Sequence, residues 1–173
     1  AILYLPAQPL WVSRPVDVRS YELPDGQRDV VVLEAFPFLE SGETYHARSA
    51  IANPSVQDLR AAGQDYPDWL KRYLQLPENF SDRIVGFTMQ IAFGLETPYD
   101  KAEAITTVLR AQIKYNPSLT LPPEGTDIIE WFLFEGREGY CNYYATAEVL
   151  MLRSLGIPAR LAVGYGPGDY NPI

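Results

Sequence analysis

One cysteine and one histidine among 173 residues exclude much chemistry at the outset. A lone thiol, Cys141, forms no internal disulfide and anchors no cysteine-rich zinc site, and no metal or cofactor is implied. Basic runs are also missing: 14 Lys and Arg stand against 22 Asp and Glu, a net charge of −8. Nucleic acid is therefore not expected as a partner. No apolar stretch approaches the roughly 20 residues of a membrane helix, and the opening AILYLPAQPLW lacks the charged flank and cleavage site of a signal peptide. This segment is thus expected to make no membrane contact. Because it opens mid-strand and closes at GPGDYNPI, it reads as a piece of a longer protein.

What the chain does have is apolar mass. A hydrophobic content of 47%, with 13% aromatic, is enough to bury a sizeable core. Residues 1–62 carry strand character in β-branched and aromatic runs at Ala1–Leu5, Trp11–Tyr21, Val30–Phe38 and Thr44–Ile51, broken by PDG and ESGE turns. An antiparallel β portion is expected there, with His46 facing solvent.

From Pro54 onward the period lengthens toward that of helices. Ser81 caps a helix carrying Ile84, Phe87 and Ile91 and closed by Gly94. Thr97-Pro98-Tyr99-Asp100 is a stronger start, leading into Ala102, Ile105, Leu109 and Ile113 and stopped by Asn116-Pro117. Asp127 and Glu130 start a short helix to Phe134, and an apolar helix follows from Cys141 to Leu155. Gly156 ends it, Pro158 prevents continuation, and Ala159–Tyr165 reads as a strand. The fold class expected is α+β, with 1–62 as one portion and 63–173 as the other.

Cys141 is the residue with chemical promise. A thiol attacks a carbonyl as its thiolate, and a helix N-terminus supplies partial positive charge and free N–H groups that favour an anion. Gly139, two residues earlier, leaves space for a substrate, and the Cys141 N–H can face an oxyanion. The competing reading is packing, since free cysteines are commonly buried.

The run Gly139-Tyr140-Cys141-Asn142-Tyr143-Tyr144-Ala145-Thr146-Ala147, then Leu152 to Arg160 and Gly164-Tyr165, resembles the core signature of bacterial transglutaminase-like proteins. Upstream, Tyr73-Leu74-Gln75-Leu76-Pro77, Thr97-Pro98-Tyr99-Asp100-Lys101-Ala102 and Asp127 through Phe134 resemble the TgpA-type group, so the likeness spans about Tyr66 to Tyr165. Asn142 departs from the acidic residue that members often carry after the cysteine.

The resemblance implies a truncated papain-like core and Cys141 as nucleophile, forming a thioester with a protein or peptide amide. It also implies an extracytoplasmic domain of a bacterial membrane-anchored protein. The histidine and aspartate of such a triad follow the cysteine in this family, yet no histidine follows Cys141 here, and His46 matches no family motif. The fragment is therefore expected to be inactive alone. Trp131 and Tyr140 are the side-chain candidates for an oxyanion donor. Arg160 is expected to make a buried polar contact. The alternative is a non-catalytic transglutaminase-like module with a structural or interaction role.

Overall fold

The computed structural model describes residues 1–5, 8–118 and 122–164. They fall into two units, Ala1–Asn53 with the described part of Ala162–Ile173, and Pro54–Leu161.

The first unit is built on hairpins. Strands β2 (Val16–Glu22) and β3 (Arg28–Ala35) pair antiparallel from Val16↔Ala35 to Glu22↔Arg28. The Pro24-Asp25-Gly26 turn closes them, with Gly26 at φ +79°, a conformation glycine adopts at no steric cost. Strands β1 (Pro9–Val12) and β4 (Ala47–Ser49) form a second antiparallel pair. The apolar run Trp11–Tyr21 is therefore two strands rather than one: its two halves pair with different partners, and Pro15 has no N–H for a ladder. His46 is exposed, and its backbone N–H donates to Ser13 Oγ at 2.9 Å.

The second unit carries the helices. Helix α1 (Val56–Ala61) has a capping box between Ser55 and Asp58, and a 3₁₀ segment spans Asp68–Leu74. Ser81 accepts from the Ile84 N–H to start α2 (Asp82–Ala92), and Gly94, at φ +75°, follows its end. In α3 (Pro98–Gln112) Thr97 accepts from the Asp100 N–H at 3.1 Å while donating its hydroxyl proton to the Asp100 carboxylate at 2.7 Å. Arg60 of α1 joins the same carboxylate at 2.8 Å. The helix stops before Asn116: Ile113 turns extended yet stays buried, and the chain enters a two-residue strand, β5 (Lys114–Tyr115).

Asp127 accepts from the N–H groups of Ile129 and Glu130 to start α4 (Ile128–Trp131), which widens into a π-turn over Phe132–Gly136. The widening brings Gly136 under the Trp131 ring, where a Cβ would come within 2.3 Å of ring carbons. Arg137, at φ +49°, then reverses the chain into β6 (Glu138–Gly139), which pairs parallel with β5. Helix α5 (Cys141–Ser154) follows, and its C-terminus closes with the Gly156 N–H on Arg153 O and the Ile157 N–H on Leu152 O. These two bonds are the Schellman pattern, with Gly156 at φ +74°.

Ile84, Ile105, Leu109, Ile113, Phe132, Leu133, Tyr143, Ala147 and Met151 form one buried cluster drawn from α2, α3, α5 and the π-turn. On α5 burial is a single stripe, Tyr143-Ala147-Met151, at i, i+4, i+8. The remaining residues from Tyr144 to Ser154 are all half-buried, so beyond its first two residues the helix is covered to some degree on every side. The strand expected at 159–165 has no ladder among the described residues: residues 160–164 are exposed, and Tyr165 lies outside the described residues. The Ala159 N–H bonds across to Tyr73 O at 3.1 Å.

Two consequences are measurable. Thr97→Ala should lower stability by about 1 kcal/mol, as expected for loss of an N-cap. Asp100 is held below its usual carboxylate range by the Thr97 hydroxyl first and the Arg60 guanidinium next. A depressed carboxyl stabilises the fold at neutral pH, and that stabilisation disappears as pH falls through its folded value. The stability gap between wild type and Asp100→Asn, read from urea unfolding, should therefore narrow from pH 7 to pH 3. A gap independent of pH would refute the assignment.

Candidate active site

Three local constraints place Cys141. The β5–β6 pairing ties the segment before α5 to the end of α3, through the Lys114 N–H on Arg137 O at 2.9 Å and the Asn116 N–H on Gly139 O at 2.8 Å. The Asn116 amide also donates to Glu138 at 3.2 Å. Gly139 is buried against the Phe132 ring, where a Cβ would lie 2.8 Å from ring carbon and 3.1 Å from the Tyr143 Cβ. The space expected above Gly139 is thus occupied by the core and not left for a substrate. Tyr140, extended at φ −116°, ψ −178°, then serves as N-cap residue and makes Cys141 the first residue of α5.

The Cys141 side chain is exposed, and its thiol faces Asn142 Oδ1 at 3.6 Å. At a helix start the first N–H groups have no intrahelical acceptor, so an anion at this position meets both free donors and the positive end of the dipole. A cavity of about 420 Å³ opens beside the thiol, between α3 and α5. Leu109, Ile113, Tyr144 and Ala145 give it apolar walls, and Tyr115 closes one side. The Tyr144 hydroxyl donates to Ile113 O at 2.7 Å, its ring stacks on Tyr115 with centroids 6.4 Å apart, and burial pushes its hydroxyl pKa up. Thr106, Arg110 and Glu148 supply the polar groups, with the Thr106 hydroxyl donating to Glu148.

Neither ring proposed from the sequence as an oxyanion donor lines this cavity. Trp131 lies against Gly136 and the core, and Tyr140 packs edge-on to Tyr143 with centroids 5.0 Å apart. His46 belongs to the first unit. Arg160 is exposed and not buried: its guanidinium lies over the Tyr73 ring at 5.6 Å and donates to the Tyr73 hydroxyl at 3.3 Å. The structural arginine of this region is Arg153, which donates to Ala159 O at 2.8 Å and Gln75 O at 2.9 Å.

Sequence reasoning passed over the cavity's polar residues. A signal existed for Glu148, the single acid in the otherwise uncharged stretch of α5 before Arg153, seven positions after Cys141 and so on the same helix face. Among the described residues no group of acids, histidine and cysteine is placed to hold a metal ion, and no helix is long and apolar enough to cross a membrane.

Comparison with known proteins bears on this arrangement. Residues 86–171 match the family described as the transglutaminase-like superfamily. The chain is 35% identical over 102 residues to the uncharacterized protein YebA of Bacillus subtilis, covering 58% of this chain and 14% of that protein. It is 34% identical over 119 residues to a protein-glutamine gamma-glutamyltransferase of Pseudomonas aeruginosa, covering 67% of this chain and 17% of that one. The chain thus spans less than a fifth of the length of either relative. Its fold matches the crystal structure of the periplasmic domain of TgpA from Pseudomonas aeruginosa with a TM-score of 0.59 at 26% identity, over 95% of this chain and 56% of that one. The extracytoplasmic location read from the sequence agrees with the periplasmic origin of that domain. An α+β core with a cysteine heading its main helix, the family match over residues 86–171 and the likeness to TgpA place the chain in the transglutaminase-like superfamily, within its TgpA-type group.

Proposed function

We propose that Cys141 is the nucleophile of an enzyme that transfers or hydrolyses protein or peptide amides through a thioester. The observation that carries this reading is the exposed thiol on the first residue of α5, at the mouth of the cavity between α3 and α5. The name of the Pseudomonas aeruginosa relative, a protein-glutamine gamma-glutamyltransferase, supports a glutamine side chain as the acyl donor.

In this reading Sγ attacks the carboxamide carbon, the C–S bond forms, the C–N bond breaks, and ammonia leaves with the proton it gains. A primary amine or water then bonds to the carbonyl carbon as C–S breaks, and the thiol is restored. The Cys141 backbone N–H is the oxyanion donor, being a first-turn group without an intrahelical acceptor. Trp131 and Tyr140 are engaged in packing instead.

Proton transfer in this chemistry requires a base within hydrogen-bond reach of the thiol. The sequence has no histidine after Cys141, so we place the base outside these 173 residues, in a parent protein anchored to the membrane.

Incorporation of a labelled primary amine into a glutamine-containing protein tests both parts. The full-length protein should be active, and Cys141→Ser should reduce its activity by at least about a thousandfold, as removal of a catalytic nucleophile does elsewhere. The 173-residue chain alone should give no signal. Undiminished activity of Cys141→Ser, or turnover by the isolated chain, would sink the respective claim. An inert full-length protein would favour a non-catalytic module.

A further inference from the structure

Arg83 of α2 holds two carboxylates that the sequence separates by five positions. Its guanidinium donates to Glu135 at 2.5 Å and pairs with Glu130 at 3.5 Å through the same Nη1. It also lies over the Phe134 ring, 4.0 Å from the centroid, and Phe87 packs edge-on against that ring with centroids 5.5 Å apart. Helix α2 thus grips the chain from α4 to the last residues of the π-turn. Five positions is the informative spacing. At 3.6 residues per turn, residues i and i+5 of an α-helix stand about 140° apart, on different faces. A turn that closes i to i+5 returns them to one face. Glu130 precedes the widened turn and Glu135 lies within it, so the meeting of both carboxylates on one guanidinium follows from the π register and in turn favours it.

The register matters for the thiol. A π-turn holds one residue more than an α-turn, so reversion to α spacing would shift the chain that follows by one position. Residues bearing side chains would then enter the places of Gly136 under Trp131 and of Gly139 against Phe132, where a Cβ would lie 2.3 and 2.8 Å from ring carbon. The two glycines permit the π register, but a permitted register needs an attraction to select it. Arg83 supplies one at Glu135, a short run of chain before Cys141.

We infer that Arg83 is a positioning residue for Cys141: by bridging Glu130 and Glu135 it locks the π-turn in register, and the locked turn delivers β6 and the first turn of α5 to the place where the thiol meets the cavity. Arg83 is not among the residues that line that cavity, so it acts through the turn. The value of the lock for turnover rests on the thioester reading above, whereas the lock itself does not. An exposed ion pair adds little to global stability, yet a choice between two local registers turns on small differences. The lock is therefore expected to show in local opening and in turnover far more than in melting.

Amide hydrogen exchange of the 173-residue chain, read by NMR, tests the lock. In Arg83→Gln the Lys114 and Asn116 amides, which bond to Arg137 O and Gly139 O, should exchange at least about tenfold faster, while the Ile105 and Leu109 amides of α3 keep wild-type rates. The melting midpoint should move by no more than about 3 °C. The charge-reversed pair, Arg83→Glu with Glu135→Arg, should return both amides toward wild type, which a role in packing alone would not allow. In the full-length protein Arg83→Gln should lower kcat at least about tenfold with KM within about twofold of wild type, and the reversed pair should restore kcat. Unchanged exchange at Lys114 and Asn116, acceleration that spreads to Ile105 and Leu109, or no recovery in the reversed pair would each overturn the lock. Faster exchange with undiminished kcat would overturn the positioning role. An inert full-length wild type would refute the thioester reading and with it the catalytic value of Arg83, while the exchange rates would still decide the lock.

Discussion

The geometry around the thiol depends on the contact between Gly139 and the Phe132 ring. A side chain at position 139 would sit inside van der Waals distance of that ring, so only glycine lets the strand before α5 pass flush against the core. Phe132 is itself fully buried and meets Tyr143 and Tyr144 through its ring, at centroid distances of 5.6 and 5.2 Å. The first turn of α5 is thereby registered against the π-turn and the end of α3 at once. Loosening this contact would disturb the head of the helix although neither Gly139 nor Phe132 lines the cavity.

The parallel pairing of β5 with β6 is the second element of that registration. Four residues with two cross-links would have no stability as an isolated sheet. They persist because each strand is the direct continuation of a packed element, α3 on one side and the π-turn on the other. The result is a thiol whose position follows from the core, even though the thiol itself is exposed.

Much of this was legible in the sequence where the signal is local. Thr97-Pro98-Tyr99-Asp100 specifies its own cap, since a hydroxyl, a ring without N–H and a carboxylate at N3 each satisfy a need of a helix start. Gly156 announced the end of α5 for the same kind of reason, a positive φ that other residues adopt only at a cost. Illegible features were those decided by partners far along the chain. The π-turn sets Gly136 against the Trp131 ring, a contact that no period in the sequence encodes. The stretch after Pro158 has the composition of a strand, but a strand is a relation between two segments, and the described residues offer it none. Glu148 was overlooked because a single carboxylate in an apolar helix looks like an interruption until the cavity beside it is known.

An exposed thiol on a rigid helix has one further implication, which concerns oxidation. An extracytoplasmic domain lies in an oxidising environment, and these 173 residues hold no second cysteine to resolve a sulfenic acid at Cys141. Any thiol that resolves it must come from outside these 173 residues. The solvent access of the sulfur therefore opens it to oxidants and to thiols of other molecules alike.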